Sequence, residues 1–124
     1  MPDDLQLSPH FNLSEFRCRH CGDVDELAAR RLASRLEIAR LFSGPMLIIS
    51  GFRCPDHNAV YGGKPNSQHL LGLAADILVH GDGHRFQLVK ALLDSDFKRI
   101  GIGKRIVHAD IGDVPGFVIW TYYA

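Results

Sequence analysis

The stretch that decides the fold is "SQHLLGLAAD", residues 67 to 76. Its leucines and alanines favour burial, whereas His69 and Asp76 are polar and stand on either side of them. Gly72 lies between the two polar residues and prevents one long helix through the segment. The sequence therefore predicts that an apolar segment carries a histidine and an aspartate into the interior, on either side of a turn.

Two amphipathic helices are predicted around this segment. The clearest is "VDELAARRLASRLEIARLF", residues 24 to 42, and the second is "GHRFQLVKALLDSD", residues 83 to 96. The apolar stripe expected on the first helix consists of Leu27, Leu32, Leu36, Ala39 and the residues from Ile38 to Phe42. Short helical turns are also expected at "NLSEF" (12–16) and "CPDHNAVY" (54–61), with a loop at 62–68.

The remaining apolar segments are short and predict strands. "MLIIS" (46–50) and "LAADILV" (73–79) are typical of buried strands. The last three strands are expected to form an antiparallel meander, and they are "RIGIG" (99–103), "IVHADI" (106–111) and "FVIWTYY" (117–123). The predicted fold class is α+β, a small antiparallel sheet with helices packed on one side.

Length and charge limit the classes of protein to which the chain can belong. Its 124 residues predict one domain, 1–124, large enough for a hydrophobic core. Fourteen basic residues balance fourteen acidic ones, so the basic footprint of a nucleic-acid partner is missing. No run of about 20 apolar residues predicts a membrane span. "MPDDLQLSPHF" does not resemble a secretory signal, so we expect synthesis in the cytoplasm.

The residues predict a metal site around the opening segment. His69 ends the predicted loop, Asp76 lies in the next strand, and His108 lies in a strand whose alternating face also carries Asp110. Two imidazoles and one carboxylate can occupy three corners of a tetrahedron around zinc and leave the fourth open for water. The alternative, from the residues alone, is a set of hydrogen-bonded core residues.

A second cluster is predicted from cysteine spacing. Cys18 and Cys21 have C-x-x-C spacing, and Cys54 and His57 have C-x-x-H spacing. These four side chains would complete a closed structural zinc site. The alternatives are ordinary free cysteines, which fit a reducing compartment, and a disulfide between Cys18 and Cys54. His20 is expected to be exposed.

Several motifs together resemble one family. "SQHLLGLAAD" resembles the S-x-H-x-x-G-x-A-x-D signature of the zinc D-alanyl-D-alanine carboxypeptidase family, which shares its fold with lysostaphin-type peptidases and the hedgehog signalling domain. "SGFRCPDHN" (50–58) is similar to the arginine-bearing segment before this signature, and "VHAD" (107–110) to the third-ligand strand. "LSEFRCRHCG" (13–22) resembles the opening of a phage and prophage branch. The motifs occur in the family's order over nearly the whole chain.

The resemblance implies a role for individual residues. It implies that His69, Asp76 and His108 are the zinc ligands, and that Arg53 faces the substrate near the scissile bond. A guanidinium group suits that role because it can hold a carboxylate or a carbonyl with two hydrogen bonds. Ser67 matches the family's serine and is expected to bind the peptide backbone. A surface arginine and a turn-forming serine are the alternatives for Arg53 and Ser67.

The chain departs from the family at the general base. Several members carry a glutamate or histidine three or two residues before the last ligand, where this chain has Arg105 and Ile106. Neither can take a proton from water at a zinc site. Asp110 is the nearest substitute, with three roles open: general base, a residue that orients a ligand, or a solvent-facing strand residue.

The resemblance implies a zinc peptidase that hydrolyses D-alanine-containing bonds in bacterial peptidoglycan, as a carboxypeptidase or as an endopeptidase of the endolysin type. Its partner would be the peptidoglycan stem peptide, reached at the cell wall after lysis or from a phage particle. The alternative is a zinc-bearing binding or structural module, such as a phage particle component, that has lost turnover. The replaced base favours this alternative.

Overall fold

The computed structural model describes residues 4–60 and 62–122. The helices are α1 (Glu26–Ser43), α2 (Pro55–Val60) and α3 (Asp82–Asp94), with short 3-10 helices at Leu13–Phe16 and Gln68–Leu71. The helical predictions are confirmed, and the second 3-10 helix replaces the end of the predicted loop. Tyr61 of the predicted α2 turn, Tyr123 of the last predicted strand and the N-terminal residues 1–3 lie outside the described residues.

The strands form two sheets within the described ranges. They are β1 (Gln6–Ser8), β2 (Phe11–Asn12), β3 (Ile48–Ser50), β4 (Ala74–Leu78), β5 (Arg99–Ile102), β6 (Ile106–Asp110) and β7 (Val118–Thr121). The β1–β2 pair is a two-stranded antiparallel sheet that the sequence analysis did not predict. The other sheet has the order β3-β4-β6-β5-β7.

The predicted meander is wrong at its last strand. β5 and β6 form an antiparallel pair, but β7 pairs with β5 and runs parallel to it. β4 and β5 occupy both edges of β6, so β7 cannot pair with β6 and lies along the outer edge of β5. β6 ends at Asp110 opposite Arg99, the first residue of β5, and β7 begins with Val118 beside that same Arg99. Both strands therefore start at one end of the sheet.

One face of the five-stranded sheet packs against the hydrophobic core, and the other face carries polar side chains. Ala75, Ile77, Val107 and Ala109 alternate along β4 and β6 and belong to the same buried core as α1 and α3. Side chains between them, including Asp76, point to the opposite face. The predicted α+β class is confirmed, and the polar residues lie on the face that the core does not cover.

Part of the predicted α1 stripe is exposed. Leu32, Leu36 and Ala39 are fully buried, whereas Leu27 is 76% exposed and Leu41 is 80% exposed. Each exposed leucine lies five residues from a buried one, which places it about 140° around the helix. The predicted stripe was therefore too wide, and Ile38 and Phe42 are exposed as well. No helix among the described residues is long and apolar enough to cross a membrane.

Candidate metal centre

Three donor atoms converge on the face of the five-stranded sheet that lies opposite the hydrophobic core. The second 3-10 helix carries His69, and Asp76 on β4 lies directly opposite His108 on β6. Oδ1 of Asp76 lies 3.2 Å from Nε2 of His69 and 3.0 Å from Nδ1 of His108. All three residues are buried, and a set of one donor atom from each lies within 4.8 Å of one another. The structure thus brings together the three residues predicted as ligands.

Local sequence explains how His69 reaches this position. Ser67 precedes the 3-10 helix, and its Oγ accepts a hydrogen bond from the His69 backbone N–H at 3.2 Å. Gly72 ends the helix with φ of 73°, a left-handed conformation that favours glycine. A Cβ at Gly72 would lie 3.2 Å from Cβ of Ala28, so α1 also limits its size. The predicted turn between His69 and Asp76 is confirmed, and Ser67 does help to form it.

The contact made by Nδ1 determines which ring nitrogen of His69 carries the proton. Nδ1 lies 2.7 Å from the carbonyl oxygen of Gly51, and only a protonated nitrogen can donate to that acceptor. In a neutral ring Nε2 then keeps its lone pair, which faces the Asp76 carboxylate. Two lone pairs repel at 3.2 Å unless a proton or a metal ion lies between them.

His108 lies between two carboxylates. Its Nε2 is 2.7 Å from Oδ2 of Asp110, and its Nδ1 is 3.0 Å from Oδ1 of Asp76. A neutral ring has one N–H, so only one of these contacts can be an ordinary hydrogen bond. Burial lowers the pKa of His108, but the bonds to Asp110 and Asp76 outweigh burial and raise the pKa above its ordinary value. This environment favours a positive charge at Nδ1, from a proton or from a metal ion.

Arg53 fixes the other oxygen of Asp76. Its Nη2 donates to Oδ2 at 2.7 Å, and its Nε donates to Oγ of Ser50 at 3.0 Å. Burial raises the pKa of Asp76, but the contacts with His108 and His69 outweigh it and hold the pKa well below its ordinary value. Arg53 is itself buried, so the alternative of a surface arginine is wrong.

The donor set fits zinc. Tetrahedral bonds of the lengths found for zinc with nitrogen and oxygen place neighbouring donors about 3.4 Å apart. The observed separations of 3.0 and 3.2 Å are close to this value. Three protein donors are typical of catalytic zinc sites, in which the fourth position stays open.

Asp110 is buried behind His108. Its Oδ1 accepts from Nε of Arg99 at 2.8 Å and from the backbone N–H of Gly112 at 3.1 Å, while Oδ2 faces His108. Burial raises the pKa of Asp110, and the contacts with His108 lower it more, so the net pKa is below its ordinary value. The solvent-facing alternative for Asp110 is therefore wrong. Arg99, which the β5–β6 register places opposite Asp110, was not predicted from the sequence.

Trp120 is a second residue that the sequence analysis missed. The pairing of β6, β5 and β7 places His108, Gly101 and Trp120 in one row across the sheet. A Cβ at Gly101 would lie 2.7 Å from the indole of Trp120, so only glycine leaves room for that ring. The indole thereby reaches His108, with ring centroids 5.2 Å apart. The sequence feature that pointed to Trp120 was Gly101 in "RIGIG". Its meaning became clear only with the parallel pairing of β5 and β7.

The cysteines also come together. Sγ atoms of Cys18, Cys21 and Cys54 all lie within 4.8 Å of one another, and the three are free thiols with no disulfide. His57, predicted as the fourth ligand, is buried and stacks on His20 with centroids 5.9 Å apart. His20 is exposed, as expected. Burial raises the pKa of the Cys18 thiol, but backbone N–H groups of Cys54, Cys21 and His20 lower it to about 7.

Comparison with known proteins identifies the family of the chain. No curated protein matches the chain. The family model described as Peptidase M15 matches residues 9–111, a range that includes the three converging donors, Arg53 and Asp110. This match covers most of the chain and agrees with the donor geometry. The chain belongs to the Peptidase M15 family of zinc-dependent, D-alanyl-D-alanine carboxypeptidase-like peptidases.

Proposed function

We propose that the chain is a zinc peptidase that hydrolyses peptide bonds involving D-alanine in bacterial peptidoglycan, with His69, Asp76 and His108 as the zinc ligands. The observation that carries this proposal is the convergence of two imidazole nitrogens on one carboxylate oxygen, at 3.2 and 3.0 Å. Family membership supports the zinc chemistry and the peptidase class. The choice of peptidoglycan rests on the family's D-alanyl-D-alanine type.

The surrounding residues hold the ligands ready for an ion. The Gly51 carbonyl keeps the proton of His69 on Nδ1, and Arg53 orients the Asp76 carboxylate. A zinc ion held by this donor set would supply a Lewis acid that polarises the scissile carbonyl and lowers the pKa of water. Burial of the three ligands reduces competition from bulk solvent, which strengthens their interaction with a cation.

Arg53 is the proposed substrate-binding cation. Its guanidinium group is fixed beside the donor set through Asp76 and Ser50, so its position does not depend on the substrate. A planar guanidinium group suits a peptide carbonyl or a terminal carboxylate, because it can donate two parallel hydrogen bonds to either. Ser67 lies two residues before His69, and its hydroxyl proton is a candidate donor to the peptide backbone.

Asp110 is proposed to act mainly as a positioning residue. Its carboxylate binds Nε2 of His108, whereas Nδ1 of the same ring faces the donor set. Both oxygens of Asp110 already accept hydrogen bonds from the protein. These contacts support orientation of the ligand over proton transfer from water.

The test uses the purified chain loaded with zinc and soluble peptidoglycan fragments ending in D-alanyl-D-alanine. We expect release of new amino groups that stops with a chelator and returns with zinc. Release of free D-alanine would identify a carboxypeptidase, and cleavage within cross-linked peptides an endopeptidase. Absence of hydrolysis by zinc-loaded protein across the pH range would contradict the proposed function.

Metal content tests the ligand assignment separately. We expect His69→Ala, Asp76→Ala and His108→Ala to lose tight binding of one zinc ion per chain, because each removes one of three donors. His80→Ala is the matched control, since His80 is exposed and lies outside the donor set. Unchanged zinc content in the three variants would refute the assignment.

A binding or structural module is the second candidate. The observation that favours it is the pair Arg105 and Ile106, which replaces the glutamate or histidine of several family members. A module would bind zinc and stem peptide without releasing amino groups. Equilibrium binding of the same peptide fragments, measured beside hydrolysis, distinguishes the two functions.

A further inference from the structure

The C-x-x-C segment folds into a tight turn that brings the Sγ atoms of Cys18 and Cys21 close together. The backbone N–H of Cys18 donates to the carbonyl of Asp23, and the N–H of Gly22 donates to the carbonyl of Cys18, both at 2.8 Å. Gly22 has φ of 78°, which favours glycine and lets the chain fold back directly after Cys21. This turn places the Cys18 and Cys21 thiols together.

The third thiol belongs to Cys54, the residue directly before α2. The backbone N–H of Cys54 donates to Sγ of Cys18 at 3.4 Å, and the N–H of His57 donates to Sγ of Cys54 at 3.4 Å. Hydrogen bonds from N–H groups stabilise the negative charge of a thiolate. Two of the three sulfurs, those of Cys18 and Cys54, therefore accept a hydrogen bond from a backbone N–H group.

The spacing of the sulfurs fits a tetrahedral ion. Zinc–sulfur bonds of about 2.3 Å place two thiolates of one site about 3.8 Å apart. The three Sγ atoms lie within 4.8 Å of one another and are not linked as a disulfide. A small adjustment of side chains would bring all three to a common ion.

A candidate fourth donor lies beside one of the thiols, that of Cys54. Nδ1 of His20 is 3.3 Å from Sγ of Cys54. A nitrogen and a sulfur that share a tetrahedral zinc ion are about 3.6 Å apart, so this contact has the spacing of two ligands of one ion. His57, on which the C-x-x-H spacing depends, contributes its backbone N–H to Cys54 and stacks on His20.

We propose that Cys18, Cys21, Cys54 and His20 form a second, closed zinc site with a structural role. It goes beyond the proposed peptidase activity and does not depend on it. The site would tie the N-terminal turn to α2 immediately after Arg53. The same connection is made by the backbone N–H of Phe52, which donates to the carbonyl of Phe16 at 2.9 Å.

Zinc content and cobalt spectra test this site without an activity assay. We expect two zinc ions per wild-type chain, one in Cys21→Ser and one in His69→Ala. Cys21 is exposed, so serine there should disturb folding least. With cobalt in place of zinc, thiolate ligands give strong near-ultraviolet absorption; it should persist in His69→Ala and disappear in Cys21→Ser. One zinc in both wild type and Cys21→Ser, or no such absorption in wild type, would overturn the proposal.

Two histidine variants test which residue is the fourth ligand. We expect His20→Ala to weaken zinc binding at the second site at least tenfold, and His57→Ala to leave it within a factor of two or three. The reverse result would overturn the assignment of His20. A chain that binds two zinc ions but hydrolyses no peptide would refute the proposed function and still support this site.

Discussion

At the residue scale, the His108 ring contacts two carboxylates, one through each nitrogen, and these contacts determine how it can bind an ion. His108 directs Nδ1 to Asp76 and Nε2 to Asp110. A ligand histidine whose second nitrogen binds a carboxylate has a fixed orientation and a more basic donor atom. Arg99 in turn fixes Asp110, so an ordered chain of contacts leads from the surface of β5 to the donor set.

Asp110→Asn tests this orienting contact. The amide keeps the shape of the side chain but loses its charge, so the basicity and orientation of His108 should suffer. We expect zinc affinity at the His69, Asp76 and His108 site to fall about 10- to 100-fold, the range for such partners. Competition with a chelating dye measures the affinity. Asp113→Asn, an exposed residue of the next loop, is the control and should change little; equal affinities for both variants would contradict the orienting role.

The site residues differ in how far the sequence could predict them. His69, Asp76 and His108 were predicted because a loop and two strands could bring them together, and because their motifs resemble those of a zinc peptidase family. Arg99 and Trp120 were missed because their roles depend on strand register. Nothing in local periodicity states which strand lies beside β5.

At the element scale, Glu37 of α1 binds the β1–β2 pair. Its Oε1 accepts from Oγ of Ser8 and from the backbone N–H of His10, both at 2.8 Å, and its Oε2 lies 2.7 Å from Nδ1 of His10. Burial raises the pKa of Glu37, but the bonds from His10 and Ser8 outweigh it and lower the pKa. One carboxylate thus holds a hairpin that is too short to be stable alone.

Glu37→Gln should destabilise the fold in a pH-dependent manner. A carboxyl whose folded pKa is lowered stabilises the fold above its ordinary pKa of 4.5, and this contribution is lost as the pH falls below that value. We expect a loss of about 1 kcal/mol in free energy of unfolding at pH 7, because the site is partly exposed, and a smaller loss at pH 3. Urea unfolding at both pH values measures it.

The control for this variant is Glu26→Gln, which removes an exposed pair with Arg30 on the same helix. It should cost less than half as much at pH 7. A pH-independent effect of Glu37→Gln would show that the hydrogen bonds to its carboxylate are not its main contribution.

Periodicity explains which elements could be predicted. α1 and α3 have long apolar repeats, and β3 to β6 are short apolar runs between turn residues, so their positions were predicted closely. The β1–β2 pair has two or three residues per strand and depends on Glu37, which is distant in sequence. The parallel pairing of β7 depends on which sheet edge remains available, and this is a property of the assembled sheet.

At the scale of the whole molecule, the sheet separates a packed core from a polar site. Ile77 and Val107 face α1 and α3, while Asp76 and His108 on the same two strands face the site. Because side chains alternate along a strand, a shift of one residue in register would exchange the two sets. The core therefore fixes the register that brings the donors together.

Leu92→Ala tests the independence of core stability and site chemistry. Leu92 on α3 is fully buried, and removing its side chain should cost about 2–5 kcal/mol in free energy of unfolding. Zinc affinity of the folded fraction should stay unchanged, because the site lies on the other face. Leu93→Ala, one residue away and 48% exposed, is the matched control and should cost far less. An equal cost for the two variants would contradict this account of the core.

The row that joins Gly101, Trp120 and His108 gives the protein a built-in optical reporter. Trp120 is its single tryptophan, so all indole fluorescence comes from a ring whose centroid is 5.2 Å from that of His108. An ion arriving at this histidine changes the local electric field, and we expect the emission to change during a zinc titration. The response should vanish in His108→Ala and persist in Cys21→Ser, so unlabelled protein can show which of the two proposed zinc sites fills first.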